Sequence, residues 1–175
     1  MDSRNSNALQ DSGADHETLW ELIKGIKFGM LTHRHGDGSL QGHPLTTQNK
    51  SIDEGSILYF FISKKSELAS RLRQDPNVNV AYADPGADSY VSVAGTARFS
   101  DNRAKVEELW SPMAKAWFPG GPQDPDLAFL EVKIGHAEYW NVKDSKVTQL
   151  FKMAKAAITG DTPKDMGEHK ELNVS

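Results

Sequence analysis

Apolar positions change period several times along this chain, and each change marks an element. Leu19, Leu22, Ile23 and Ile26 recur at helical spacing behind Asp15, a residue able to cap a helix start, with Gly25 near the end. From Lys27 to His33 the pattern is extended; the turn Arg34-His35-Gly36-Asp37-Gly38 follows, and Ser39–Thr47 supplies a partner strand. Pro44 has no N–H to give a ladder, so it points to a sheet edge, a bulge or a position facing a ligand. Ile57–Ile62 is an unbroken apolar run of strand length, set off by the turn Asp53-Glu54-Gly55-Ser56. A short helix from about Ser66 to Gln74 stops at Asp75-Pro76. Val78, Val80 and Tyr82, then Val91, Val93, Gly95, Ala97 and Phe99, alternate with smaller residues and predict two more strands.

Beyond these, Asp101 can cap a helix whose Val106, Leu109, Trp110, Met113 and Trp117 share a face. Pro112 should break that helix, with Ser111 capping a second piece. The loop Phe118-Pro119-Gly120-Gly121-Pro122 leads to two extended stretches, Leu127–Ile134 and His136–Val142, and a last helix carries Val147, Leu150, Phe151, Ala154 and Ile158 before Gly160. Six or seven strands in hairpin-like succession with short helices between them predict an α+β chain, mostly β, built as an antiparallel barrel decorated by helices. A doubly wound parallel sheet needs a long helix after every strand, and that alternation is missing. The expected domain runs over residues 15–160, and the polar, aperiodic segments 1–14 and 161–175 read as mobile tails.

Composition narrows the function classes. The chain has 175 residues and a formal net charge of −4, which argues against a protein devoted to gripping nucleic acid. It has no cysteine, which removes disulfides, thiolate metal sites and a cysteine nucleophile, and fits a reducing, cytoplasmic setting. Its longest strongly apolar run, Ile57–Ile62, falls far short of the roughly 20 residues of a membrane helix. The first residues lack the apolar core and cleavage site of a secretory signal.

Candidate chemistry concentrates where the apolar strand meets the next helix, at Phe61-Ile62-Ser63-Lys64-Lys65-Ser66-Glu67-Leu68. A helix start presents free N–H groups and a positive dipole end, and two hydroxyls with two ammonium groups beside it compose a phosphate-binding site. Serine capping with two solvated lysines accounts for the same residues. Neither a phosphate-binding glycine loop nor a Gly-x-Ser-x-Gly elbow is present. His33, His35 and Asp37 are of metal-ligating type, but they flank a glycine-rich turn without helical spacing, and no metal is expected. His43 precedes Pro44, which holds it extended. Trp117 and Phe118 stand at the mouth of a glycine-rich loop, suited to covering a planar ligand or a second subunit. Trp110 reads as core.

Taken in order, Gly29-Met30-Leu31-Thr32, His43-Pro44-Leu45-Thr46-Thr47, Leu58-Tyr59-Phe60-Phe61-Ile62-Ser63, Asn77–Asp84 and Tyr90–Ala97 resemble the pyridoxamine 5′-phosphate oxidase-like FMN-binding split barrels. Trp117-Phe118-Pro119-Gly120-Gly121-Pro122, Asp124-Pro125-Asp126 and Ala137-Glu138-Tyr139-Trp140 extend the likeness, which is closest to the bacterial general stress proteins. The resemblance implies a homodimer with flavin at its interface: FMN, with FAD or riboflavin as alternatives. It further implies that His43, Pro44, Leu45, Thr46 and Thr47 run along the flavin, that Phe61, Ile62, Ser63, Lys64 and Ser66 meet the phosphate end, and that Trp117 and Phe118 lie close by. A flavin-dependent oxidoreductase drawing on a nicotinamide donor is the expected activity. The alternatives are a flavin-binding stress module without turnover, and a relative binding haem or a deazaflavin through His33, His35 or His43.

Two departures qualify this. Many relatives place an Arg where His43 stands, and a neutral imidazole cannot replace its forked phosphate contact. Relatives also often carry a Lys after the helix-capping Ser, where this chain has Glu67. True pyridoxamine-phosphate oxidases follow their Glu-Tyr/Phe-Trp with an Arg-x-His-x-Arg cluster, whereas this chain offers Lys146-Val147-Thr148-Gln149-Leu150. Vitamin B6 oxidation is therefore not expected, and no residue stands out as catalytic.

Overall fold

A computed structural model describes residues 15–141, 153, 155 and 167–174. Helix α1 spans residues 15–23 and buries Leu19 and Ile23. Strands β1 (Gly29–Arg34), β2 (Leu40–Leu45) and β3 (Ile57–Ser63) follow, then α2 (Glu67–Gln74), β4 (Asn77–Asp84) and β5 (Ser89–Ser100). Two short helices, α3 (Arg103–Leu109) and α4 (Pro112–Trp117), and a single 3₁₀ turn at Gly121–Gln123 precede β6 (Leu127–Asn141) and β7 (Glu168–Leu172).

Every strand pairing is antiparallel, in the order β2-β1-β4-β5-β6-β3, with β7 on the same edge of β6 as β3. The fifteen-residue β6 spans both, pairing β3 through Leu127–Lys133 and β7 through Ala137–Asn141. The sheet curls until its ends almost meet: Thr47, just beyond β2, forms an isolated bridge to Phe60 of β3, and Gln48 donates its N–H to the Tyr59 carbonyl at 2.8 Å. Beyond that bridge the two edges part. The result is an antiparallel split barrel: the patterning predicts the antiparallel barrel, and the family resemblance implies the split.

Its interior holds Leu31, Leu58, Phe60, Val80, Val93, Leu130 and Val132, all at 0% exposure, against which α1 and α2 lay Leu19, Ile23, Leu68 and Leu72. A second core gathers Val106, Leu109, Phe118, Leu127 and Phe129, with Tyr59, Phe61 and Trp110 packed around it. Trp110 is thus core, as expected.

Several expectations need correction. The tail expected over 161–175 includes strand β7: Leu172 and Val174 are buried, and the His169 ring stacks on Trp140. Its polar composition conceals the pattern, because only one of its faces meets apolar surface. The two stretches expected at Leu127–Ile134 and His136–Val142 are one strand to Asn141, bulged at Gly135, since Ile134 pairs Gly95 while His136 pairs Ala94. Asn102, not Asp101, caps α3, accepting the Lys105 N–H at 3.1 Å. The expected single face from Val106 to Trp117 is broken, because Trp110 and Ser111 are extended and α4 restarts in another phase, leaving Met113 and Trp117 exposed. The segment 1–14 and the helix expected around Val147–Ile158 lie outside the described residues, apart from Met153 and Lys155.

Candidate functional site

The split between β2 and the β3–α2 join opens into a groove of about 420 Å³, within the ~300–1,000 Å³ range of small-molecule sites. One wall is β2 and its continuation, His43 to Thr46 with Gln48. The other is the end of β3, Phe61 to Ser63, with Ser66, Glu67 and Leu68 at the start of α2. Phe28, Ala114, Trp117, Phe118 and Asp126 complete the lining. Pro44 is tolerated because β2 is an edge strand and pairs only with β1.

The groove brings together His43, Pro44, Leu45, Thr46, Phe61, Ile62, Ser63, Ser66, Trp117 and Phe118 from the sequence-selected set. Two others stand apart. Thr47 shares a 2.6 Å hydrogen bond with the buried Tyr82 hydroxyl, whose pKa burial raises. Lys64 lines a separate cleft with Arg73 and Arg103. Phe28, Gln48, Glu67, Leu68, Ala114 and Asp126 are the lining residues that the sequence-selected set lacks. Asp126 belongs to a recognised motif, but nothing in its spacing announces that it folds back on the β3–α2 join.

That join is built from side-chain hydrogen bonds. Ser66 donates its hydroxyl to the Ser63 carbonyl at 2.7 Å and accepts the Ala69 N–H at 3.1 Å, so it is the N-cap of α2. Asp126 accepts the Ser63 hydroxyl at 2.7 Å and the Lys65 N–H at 3.3 Å. Glu67, in the first turn, is held by His35 Nε2 at 2.7 Å, while His35 Nδ1 lies 3.2 Å from Asp37. Hydrogen bonding to Glu67, then to Asp37, raises the His35 pKa, and the same contact lowers that of Glu67. Asp37 is held at about 2, chiefly by the Ser39 hydroxyl and N–H. The α2 end of the groove therefore carries two carboxylates, Glu67 and Asp126, the first hydrogen-bonded to His35, and the groove lining includes no Lys or Arg.

At the other wall His33 and His43 form a coupled pair, their Nε2 atoms 3.1 Å apart. His33 Nδ1 lies 3.2 Å from the Arg34 carbonyl, which can only accept, so His33 carries its proton on Nδ1. One of the two facing Nε2 atoms donates to the other. Burial, then repulsion from His33, lowers the His43 pKa. The fold thus favours the neutral form of His43 at the groove.

Residues 14–164 match the family model described as pyridoxamine 5′-phosphate oxidase like. The chain belongs to that family. Among its relatives, protein bli-3 of Neurospora crassa is 28% identical over 170 residues, covering 89% of this chain and 78% of the fungal protein. The solved structure of the general stress FMN/FAD binding protein of Xanthomonas citri is 32% identical, with a TM-score of 0.65, over 75% of this chain and 92% of that one. A candidate general stress protein 26 from Jannaschia sp. is 28% identical with the same TM-score of 0.65, over 95% of this chain and 98% of that one. This pyridoxamine 5′-phosphate oxidase-like chain thus stands with the general stress proteins, and its kin include a fungal protein. Among its described residues no helix is long and apolar enough to cross a membrane.

Proposed function

We propose that the groove is a flavin site and that the chain is a flavin-dependent oxidoreductase of the general stress type. The observation that carries this reading is the convergence of β2, the β3–α2 join and Trp117-Phe118 on one groove of ligand size. The residues present fit a flavin. Trp117, 79% exposed, offers a free face to a planar ring, and the edge of β2 offers backbone to a ring rich in donors and acceptors. The first turn of α2 opens on the groove where a phosphate would be met, while the Ser63 and Ser66 hydroxyls already donate to Asp126 and to the Ser63 carbonyl.

A bound flavin would supply the hydride and electron chemistry, with a nicotinamide as the donor. The chain's own part is to orient and to dry the ring. Trp117 and Phe118 cover it, His43 offers its imidazole from the β2 wall, and the His35–Glu67 pair steadies the first turn of α2. The missing cations predict that the phosphate adds little affinity from this chain alone. A second copy is the natural source of further contacts. Met30 stands exposed on the outer face of the sheet beside the small residues Gly42 and Ala81, which supports a homodimer across the β2-β1-β4 part of this face.

The test is a titration of flavin-free protein with riboflavin, FMN and FAD, followed by flavin fluorescence and thermal stability. Saturable binding of FMN at one per chain, weakened at least tenfold by Trp117→Ala (about 1.4 kcal/mol), is expected. Should none of the three bind, the flavin reading fails. Bleaching of the bound flavin by NADH or NADPH separates the oxidoreductase from a module that binds without turnover.

A further inference from the structure

Away from the groove, β6 and β7 carry the same tripeptide pattern: His136-Ala137-Glu138 and His169-Lys170-Glu171. In a strand, residues two apart share a face, so each tripeptide presents one imidazole and one carboxylate to the same side. The antiparallel register places Glu138 directly opposite Glu171, and His169 opposite Trp140. The two tripeptides therefore meet head to tail as two imidazoles around two carboxylates. His136 Nε2 lies 2.7 Å from Glu138, His136 Nδ1 lies 2.9 Å from Glu171, and His169 Nε2 lies 3.2 Å from the other oxygen of Glu138. His136, Glu138 and Glu171 each bring a ligand atom within 4.8 Å of the others. The ring of His169 is held in place by stacking on Trp140, with centroids 4.8 Å apart and planes within 6°.

We propose that this set binds a divalent first-row transition ion of the zinc type. Carboxylates directly opposite each other in a ladder repel, and here two are set side by side on the face where both imidazoles converge. A divalent ion answers both carboxylates at once, bringing the four-residue set to zero net charge while coordinating neutral imidazole nitrogen. Mixed nitrogen and oxygen ligands suit zinc, nickel or copper, whereas calcium and magnesium take oxygen alone. The ligands come from both strands, so the ion would clip β7 to β6. They remain open to solvent, with side-chain exposures of 44% for His136 and 31% for Glu138, which leaves room for water as a further ligand.

The experiment is a calorimetric titration of the chelator-treated full chain with Zn²⁺, paralleled by Co²⁺ absorption as a report of nitrogen ligation. One ion per chain is expected, with slower amide hydrogen exchange across Glu168–Leu172 and no such response to Mg²⁺. His136→Ala and Glu171→Gln should each weaken binding at least tenfold, and Glu171→Gln, exposed and isosteric, keeps the test meaningful should His136→Ala fail to fold. Absence of saturable Zn²⁺ binding overturns the proposal. So does an affinity unchanged in Glu171→Gln and in His136→Ala/His169→Ala, because the ion would then be held by other residues.

Discussion

His43 concentrates the electrostatics of the groove in one side chain. Burial and the neighbouring His33 lower its pKa from the ordinary 6.5, so the fold favours its neutral form. The sign follows directly: the unfolded chain takes up the proton first as pH falls. The stability His43 contributes is whole above about pH 6.5 and is lost as pH drops through its folded value. An NMR titration should place its midpoint below 6.5, and His43→Gln should flatten the acid-side decline in thermal midpoint. Over the same range FMN binding should strengthen as pH falls, because protonation adds a cation to a wall that has none. His43→Arg supplies that cation at every pH and should raise the preference for FMN over riboflavin about tenfold, ~1.4 kcal/mol. A ratio that stays unchanged in titrations of the two flavins would separate His43 from the phosphate end.

At the scale of elements, the bulge in β6 and the glycine opposite it form one device. A Cβ on Gly95 would lie 2.5 Å from the Lys133 carbonyl oxygen and 2.7 Å from a Val132 methyl, so the backbone itself would have to move. Gly95→Ala should cost about 1–3 kcal/mol in denaturant unfolding, while Gly25→Ala, with nothing within 4 Å, should lie within about 0.5 kcal/mol of the parent. Ser66→Ala should cost about 1 kcal/mol through the lost N-cap of α2 and loosen the groove wall with it. Elements with one clean period were legible before any coordinates: the alternation in β4 and β5, the apolar run of β3, and the break at Pro112 with its Ser111 cap. Two neighbours defeated that reading. Gly135 looked like a gap between strands because a bulge interrupts the two-residue period, and β7 looked like tail because its burial depends on α1 and Trp140, which no local pattern records. The groove was legible through its backbone motifs, His43 to Thr46 and Phe61 to Ser66. Its acidic members were not, since Asp126 and Glu67 enter it through long-range hydrogen bonds to Ser63 and His35.

For the molecule as a whole, the barrel is split because β6 is long enough to carry β3 and β7 in tandem on one edge, which leaves β2 to meet β3 through a single bridge. That bridge adjoins the groove through Thr46 and Gln48, which line it on either side of Thr47, so ligand affinity and barrel closure should be coupled: ligand binding to both walls should slow exchange of the Gln48 amide, measurable with and without FMN. Closure at the opposite end relies on Asp15, at the start of α1, which accepts the Asn173 N–H at 2.8 Å and pairs with Lys170 at 3.2 Å. The first and last described elements are therefore neighbours in space although 158 positions apart in sequence. Chain order is then a convenience of synthesis rather than a requirement of the architecture. A circular permutant that joins the region of Val174 to that of Asp15 through a short flexible linker, and opens instead in the exposed turn Pro85–Ala87, should fold to the same barrel and keep its groove.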